Sequence, residues 1–558
     1  MEKRLPVGVS DFKEMIEDDY YYVDKSLFIK ELIDNPAKVA LIPRPRRFGK
    51  TLNLSMVQYF FEQSGEDNSH LFTGLKIMEA DDKYLAKQGK QPVISLTFKD
   101  IKHSKWDKCL KDMMKLIAEE YSRHDYLLAS EVLNDYQRRV YREIISLEAD
   151  DIFYQSALKD LSQYLREYYQ ERVMILIDEY DAPIQTGYLN GYYNQVVDFM
   201  RNLLSGGLKD NPHLEKGILT GILRVAKESI FSGLNNLSVY TLLDKQFAHS
   251  FGLLEEEVKQ LLADYQLSGC LDEVKNWYNG YSFGNQVIYN PWSIIKYVEN
   301  NGLADPYWAN TSSNDLIKQT ILAGGSQLKT DLQSLIEGEP IKVEIDKNIV
   351  FPDIETSSHA VWSFLLFSGY LRANSQQREE ARLYCQLEIP NIEIKYIYEN
   401  IILSWFEQNI TNHELNLMLN SLTQGDLDTF SVIFQEFVLN SMSNFDIGGD
   451  EPEKVYHVFV LGLLLNLRDD YQVISNRESG YGRYDVMIIP EDKSELGIVM
   501  EFKKANNYKD ESLEAAVEAA LEQIKNKNYK QELINKGVED ILELGIAFSG
   551  KKIMVESS

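Results

Sequence analysis

Residues Lys38–Ser55 read KVALIPRPRRFGKTLNLS. The run Lys38–Ile42 has the apolar, β-branched character of a short buried strand, and a helix is expected to start near Gly49. The loop between them ends in Gly49-Lys50-Thr51. A helix N-terminus presents free backbone N–H groups and a positive dipole end to a phosphate. A lysine there reaches the outer phosphates, and a Ser or Thr hydroxyl ligates Mg²⁺. Lys50 and Thr51 are those residue types in that order. The loop departs from the full G-x-x-x-x-G-K-[ST] pattern, because Arg44 occupies the first glycine position and Pro45 follows it. A non-glycine residue forced into left-handed backbone costs roughly 1–2 kcal/mol, and Pro45 has no N–H to offer a phosphate. The cradle is therefore expected to be shaped differently or to be weaker. Arg44, Arg46 and Arg47, with Phe48 and Gly49 completing the loop, put positive charge where a triphosphate would lie. The competing reading is a plain strand–turn–helix with solvated arginines.

A second stretch decides between these. Glu171–Ile184 reads ERVMILIDEYDAPI. Val173–Ile177 is a continuous apolar run of the kind buried on both faces of a parallel sheet, and it ends in Asp178-Glu179. Carboxylates at the C-terminal end of such a strand stand where open α/β sheets bind ligands. Asp178 is the expected Mg²⁺ ligand and Glu179 the expected general base. Together with GKT, this pair predicts a P-loop NTPase core. A further strand, Gly217–Gly221, leads to Arg224. Thr220 and Arg224 are candidates for sensing the terminal phosphate and for stabilising transferred charge, beside the alternative of an ordinary strand end. Tyr20–Tyr22 precede a helix through Phe28, Leu32 and Ile33, for which Asp24 is the expected cap. They are read as packing residues, with contact to a nucleotide base as the alternative.

The chain has 558 residues, 44% hydrophobic and 26% charged, a soluble globular composition with room for two to four domains. No stretch approaches 18 apolar residues, so no membrane-spanning helix is expected, and the N-terminus lacks the apolar core of a secretory signal. Three widely separated cysteines suit a reducing cytoplasm and argue against a disulfide framework or a zinc site. The net charge of −28 argues against broad coating of nucleic acid, which depends on phosphate neutralisation, but leaves room for a local groove.

From Phe251 the pattern changes to helices and loops, including the aromatic stretch Trp277–Gly284, WYNGYSFG, read as a structural hairpin. The C-terminal stretch predicts a helix over Glu451–Asn466, three strands (Tyr471–Glu478, Tyr481–Ile489 and Leu496–Lys503), a helix from Ser512 to about Asn526, and a strand Ile541–Phe548. Side chains alternate along a strand, so Glu501 and Lys503 share a face and Asp485 approaches them across the hairpin. Two carboxylates and a lysine suit metal-assisted phosphodiester cleavage. The carboxylates hold Mg²⁺ or Mn²⁺ through hard oxygens, and the lysine positions or activates a water. Glu453 is a candidate third carboxylate. His457 is read as a core histidine or one supporting the site from behind, with a metal ligand as the alternative. The competing reading is a solvated hairpin with an ordinary ion pair.

VDKSLFIKEL (23–32), RPRRFGKTLNLS (44–55), LIDEYDAPI (176–184), WYNGYSFG (277–284), YNPWSI (289–294), YHVFVLGLL (456–464), GYGRYDV (480–486) and EFK (501–503) together resemble bacterial AAA-ATPase-like proteins with a C-terminal PD-(D/E)XK nuclease domain. The resemblance implies ATP binding by Lys50 and Thr51, a Walker B role for Asp178 and Glu179, and nuclease-type roles for Asp485, Glu501 and Lys503. Relatives of that nuclease fold often add a Gln and a Tyr one helical turn apart. Gln523 and Tyr529 are six apart here, which sets this chain off from the pattern.

The expected architecture is α/β: a P-loop NTPase core over 1–250, a mostly helical lid over 251–390, a helical connector over 391–447, and an αβββαβ restriction-endonuclease-like domain over 448–558. The expected function is ATP binding and hydrolysis coupled to metal-dependent cleavage of DNA or RNA in the cytoplasm, without a membrane, with self-association possible. The alternative is a nucleotide-dependent interaction switch whose nuclease fold only binds.

Overall fold

The computed structural model describes residues 3–223, 236–308, 317, 320–321, 326–336, 338–406, 412–441, 464, 467, 470–479, 482–505, 512–549 and 552–558. Two compact units emerge: Met1–Thr320 with Lys342–Ile394, and Ile321–Ile341 with Lys395–Ser558. No helix among the described residues is long and apolar enough to cross a membrane.

The first unit is built on five parallel strands: β1 (Val39–Pro43), β2 (Val93–Thr97), β3 (Val173–Asp178), β4 (Leu214–Gly221) and β5 (Leu237–Val239), in the order β2-β3-β4-β1-β5. Every residue of β1 and β3 is buried, as their unbroken apolar runs require. Because β4 lies between β1 and β3, the C-terminal ends of all three come together, with Thr220 between the GKT loop and Asp178. The helix expected near Gly49 is Lys50–Phe61. Asp24 is not the cap of the next upstream helix, which runs Leu27–Asp34. Its carboxylate instead accepts the N–H groups of Ser26 and Lys76.

The same unit includes a second, three-stranded sheet. Its strands are β8 (Ile341–Glu344), β9 (Arg372–Glu379) and β10 (Arg382–Glu388). WYNGYSFG ends the helix Leu271–Tyr278 and supplies the first strand of the hairpin β6–β7 (Tyr281–Phe283, Gln286–Ile288), which turns at Gly284-Asn285. Asn290 then caps the helix Pro291–Glu299, accepting from Trp292 N–H.

The segments around the loop, this hairpin among them, accommodate an arginine in place of the missing glycine. Arg44 does not adopt the left-handed backbone expected at its position, so it carries no glycine-specific strain. The positive φ angles of the loop fall on Arg47 (68°) and Gly49 (80°). Arg44 is wholly buried, and its guanidinium donates to the carbonyls of Pro43 (2.8 Å), Tyr240 (2.7 Å) and Phe247 (3.3 Å). It also lies 5.2 Å from the ring centres of Phe251 and Phe283. Its expected place facing a triphosphate is therefore not the one observed. Phe48 is likewise buried, against Tyr281 and Phe283. Only its backbone can line the loop.

The second unit carries the mixed sheet β11 (Tyr471–Ser479), β12 (Gly482–Pro490), β13 (Gly497–Lys504), β14 (Ile541–Ser549) and β15 (Lys552–Ser557) in sequential order, with only β13 and β14 parallel. The helix Leu513–Lys527 covers one face, capped by Ser512 and burying Ala516, Val517, Ala520 and Ile524. The predicted helix Glu451–Asn466 lies outside the described residues except for Leu464, as do Glu453 and His457. β15 was not anticipated.

Replacing Arg44 with glycine would restore the consensus loop on paper. The structure predicts the reverse of a gain: Arg44→Gly strands three carbonyls and leaves a cavity between two rings, costing about 2–4 kcal/mol. Urea unfolding checks this. An unchanged midpoint would contradict the placement of the guanidinium.

Candidate functional site

Two clusters of chemically capable side chains form, one in each unit. In the first, Lys50 is buried. Its ammonium donates to the carbonyls of Arg44 (3.1 Å) and Pro45 (3.0 Å), closing the loop on itself. Burial lowers its pKa, opposed by Glu179, Asp178 and Asp181 nearby. Asp178 is 4% exposed and collects hydroxyls from three elements: Thr51 at 2.6 Å, Thr220 at 2.5 Å and Thr97 at 3.4 Å. Thr51 and Asp178 thus place two hard oxygens side by side, the donor set Mg²⁺ takes from a protein while phosphates and water complete its shell.

Glu179 sits half-buried with φ 48° on the turn after β3. Arg46 donates to Gln185 at 3.2 Å, and Trp308 Nε1–H donates to the Arg46 carbonyl. Arg47 is exposed, its guanidinium 4.5 Å from the Trp292 ring centre. Arg224 lies outside the described residues. Asp181 was not singled out from sequence. Its buried carboxylate accepts the N–H groups of Ile222 and Leu223, and burial raises its pKa to about 6. The signal was present as the third acid of DEYD.

Beside the N-terminus of Lys50–Phe61 opens a pocket of about 570 Å³, part of it solvent. It is walled by Tyr21, Tyr22, Gly49, Leu52, Leu253 and Ile295. The segment Tyr21–Lys25 is tied across it to the helix Glu255–Asp264: Lys25 pairs with Glu257 at 2.6 Å and Tyr21 donates to Asp264 at 2.6 Å.

In the second unit, β12 and β13 pair through Val486↔Met500. At the next residue, Asp485 accepts the Phe502 N–H on its carboxylate at 2.7 Å. Glu501 is 2% exposed and receives Lys503 Nζ at 3.0 Å on Oε1. Gln523 also donates to that oxygen and lies 3.3 Å from Tyr529 Oη. The six-residue spacing misled because Asn528 ends the helix in left-handed backbone, folding Tyr529 back beneath Gln523. Asp485, Glu501, Lys503, Gln523 and Tyr529 therefore form one cluster.

Glu501 Oε2 is buried with no hydrogen-bond partner among the described residues. Burial first, and then Asp485, raise the Glu501 pKa to about 7. Glu501 and Asp485 are the side chains here that could hold a divalent cation, whose charge would offset both effects. Among the described residues no set of three His, Cys, Asp or Glu side chains comes together as a metal cage. Mg²⁺ and Mn²⁺ need fewer, since substrate and water supply further oxygens.

Residues 6–231 match a family model described as Predicted AAA-ATPase, and residues 451–558 match that of the PD-(D/E)XK nuclease superfamily. A curated relative, described as an uncharacterized protein in the vnfD 5' region of Azotobacter chroococcum mcd 1, is 26% identical over 565 residues, spanning 98% of this chain and 96% of the relative.

The raised Glu501 pKa has a definite sign. Between its unfolded value near 4.5 and about 7, the folded state holds the proton and the unfolded state releases it. Ionised Glu501 therefore costs stability above pH 7, and the cost fades towards pH 5. Without divalent metal, Glu501→Gln should melt above wild type at pH 8 and converge with it near pH 5. A variant melting below wild type at pH 8 would contradict the buried, strained carboxylate.

Proposed function

From a chain that joins a predicted AAA-ATPase domain to a PD-(D/E)XK nuclease superfamily domain, we propose an ATP-responsive, metal-dependent nuclease acting on DNA or RNA. The observation that carries the reading is the convergence of Asp485, Glu501, Lys503 and Gln523 where β12 and β13 cease to pair. Asp485 and Glu501 would hold Mg²⁺ or Mn²⁺. The ion would supply a water acidified for attack and would stabilise charge on the phosphate. Gln523 fixes one Glu501 oxygen, leaving the other to face the cation. Lys503, whose ammonium lies 3.0 Å from Glu501 Oε1, would orient the attacking water. Glu453 is proposed as a further ligand.

In the first unit, Lys50 and the amides from Gly49 onward would take the phosphates, Arg46 and Arg47 adding charge at the rim. Thr51 and Asp178 would hold Mg²⁺, and Glu179 would act as general base for hydrolysis. Arg224 is proposed to stabilise the charge transferred. The base would enter the pocket beside Gly49, between Tyr21–Tyr22 and the helix Pro291–Glu299. ATP binding would order these walls, and that change would regulate cleavage.

Three outcomes follow. Lys50→Ala should abolish the rise in melting temperature that ATP gives the wild type. A retained rise would remove the phosphate-loop assignment. Ile295→Trp, which fills the base pocket, should weaken ATP at least tenfold while inorganic triphosphate binds within threefold of wild type. Equal losses for both ligands would place the base elsewhere. Asp485→Ala should end Mn²⁺-dependent cleavage of labelled DNA and RNA with its melting temperature kept. Surviving cleavage would show the active centre to be another, and no cleavage by wild type under any condition would favour the interaction switch.

A further inference from the structure

Asp181 is a buried acid to which the proposed reaction gives no task. Its carboxylate Oδ2 accepts two consecutive amides beyond β4, Ile222 at 2.8 Å and Leu223 at 2.9 Å. The residue before it reaches the same segment, as Tyr180 Oη donates to the Leu223 carbonyl at 2.7 Å. Across the gap stands Gly221. A Cβ there would lie 2.6 Å from Asp181 Oδ1 and 2.8 Å from the Tyr180 ring, so only glycine lets the two turns meet this closely. One residue earlier, Thr220 donates to Asp178. The turn after β3 and the end of β4 are thus fastened at three consecutive points, and Asp178 is the chemical end of that seam.

We propose that Asp181 is a positioning residue, a clamp that holds the end of β4 against the carboxylate turn so that Thr220 and Asp178 keep one fixed geometry for the phosphate site. The inference rests on the ATPase reading of that site. Burying an acid at this point has a cost, since its carboxylate gives up hydration for two amide hydrogens. The raised pKa of Asp181 reports that cost. Buried groups that cost stability concentrate where a site must be kept in one arrangement.

The test uses the full chain carrying Asp181→Ala, Asp181→Asn or Gly221→Ala, read by ATP turnover, ATP affinity and amide exchange over residues 217–223. Asp181→Ala and Gly221→Ala should each lower turnover at least tenfold, leave ATP affinity within threefold, and speed exchange at Ile222 and Leu223 at least tenfold. Asp181→Asn keeps an acceptor oxygen and should return turnover and exchange to within threefold of wild type. Wild-type turnover and exchange in Asp181→Ala would overturn the clamp, as would an Asn variant as slow as the Ala variant. If wild type turns over no ATP, the ATPase reading fails separately. Exchange still decides the clamp: faster exchange in Asp181→Ala upholds it and unchanged exchange overturns it.

Discussion

Two buried cations hold the loop between β1 and the helix Lys50–Phe61 from within. Arg44 donates to carbonyls on three segments, and Lys50 donates to the carbonyls of Arg44 and Pro45. A charge taken out of water must be met by oriented dipoles or opposite charge. Here the dipoles belong to the loop itself and to the segments packed around it. The parallel sheet depends on this arrangement for its use, because β1 alone delivers only a strand end. The inward arginine, flanked by Phe251 and Phe283, converts that end into a shaped cradle without the usual first glycine.

The second unit meets the same constraint differently. Glu501 is buried with one oxygen satisfied by Lys503 and Gln523 and the other by nothing among the described residues. Its neighbour Asp485 already spends one oxygen on the Phe502 amide. The result is a carboxylate held near its protonation point at neutral pH, poised to exchange a proton for a cation. The strand geometry is what makes this possible. β12 and β13 stop pairing after Val486↔Met500, and the two acids lie just beyond that point, Glu501 still buried.

The parts legible from sequence were those set by short-range periodicity. Lys50 and Thr51 follow a glycine at a helix start, Asp178 closes an apolar run, and Glu501 and Lys503 alternate on one strand. What was missed depended on backbone turns and contacts distant in sequence. Strain was expected at Arg44, but the left-handed residue is Arg47, and nothing local to the loop shows that Arg44 has carbonyl partners near Tyr240 and Phe247. Gln523 and Tyr529 were set aside on a spacing that assumes an unbroken helix, whereas Asn528 turns the chain back. Asp181 has no signature of its own in the sequence, because its partners, Ile222 and Leu223, sit at another strand's end. The sheet β8–β10–β9 stayed hidden because β9 is largely exposed and polar, without an alternating apolar face.

The central claim is that the buried Glu501–Asp485 pair is a divalent-cation site. Calorimetric titration of the nucleotide-free protein with Mn²⁺ at pH 6, 7 and 8 tests it most directly. The account predicts binding that tightens by up to tenfold from pH 6 to pH 7, tightens less from pH 7 to pH 8, and is lost in Glu501→Gln. Mn²⁺ binding that ignores pH and survives Glu501→Gln, or no binding at all, would contradict it.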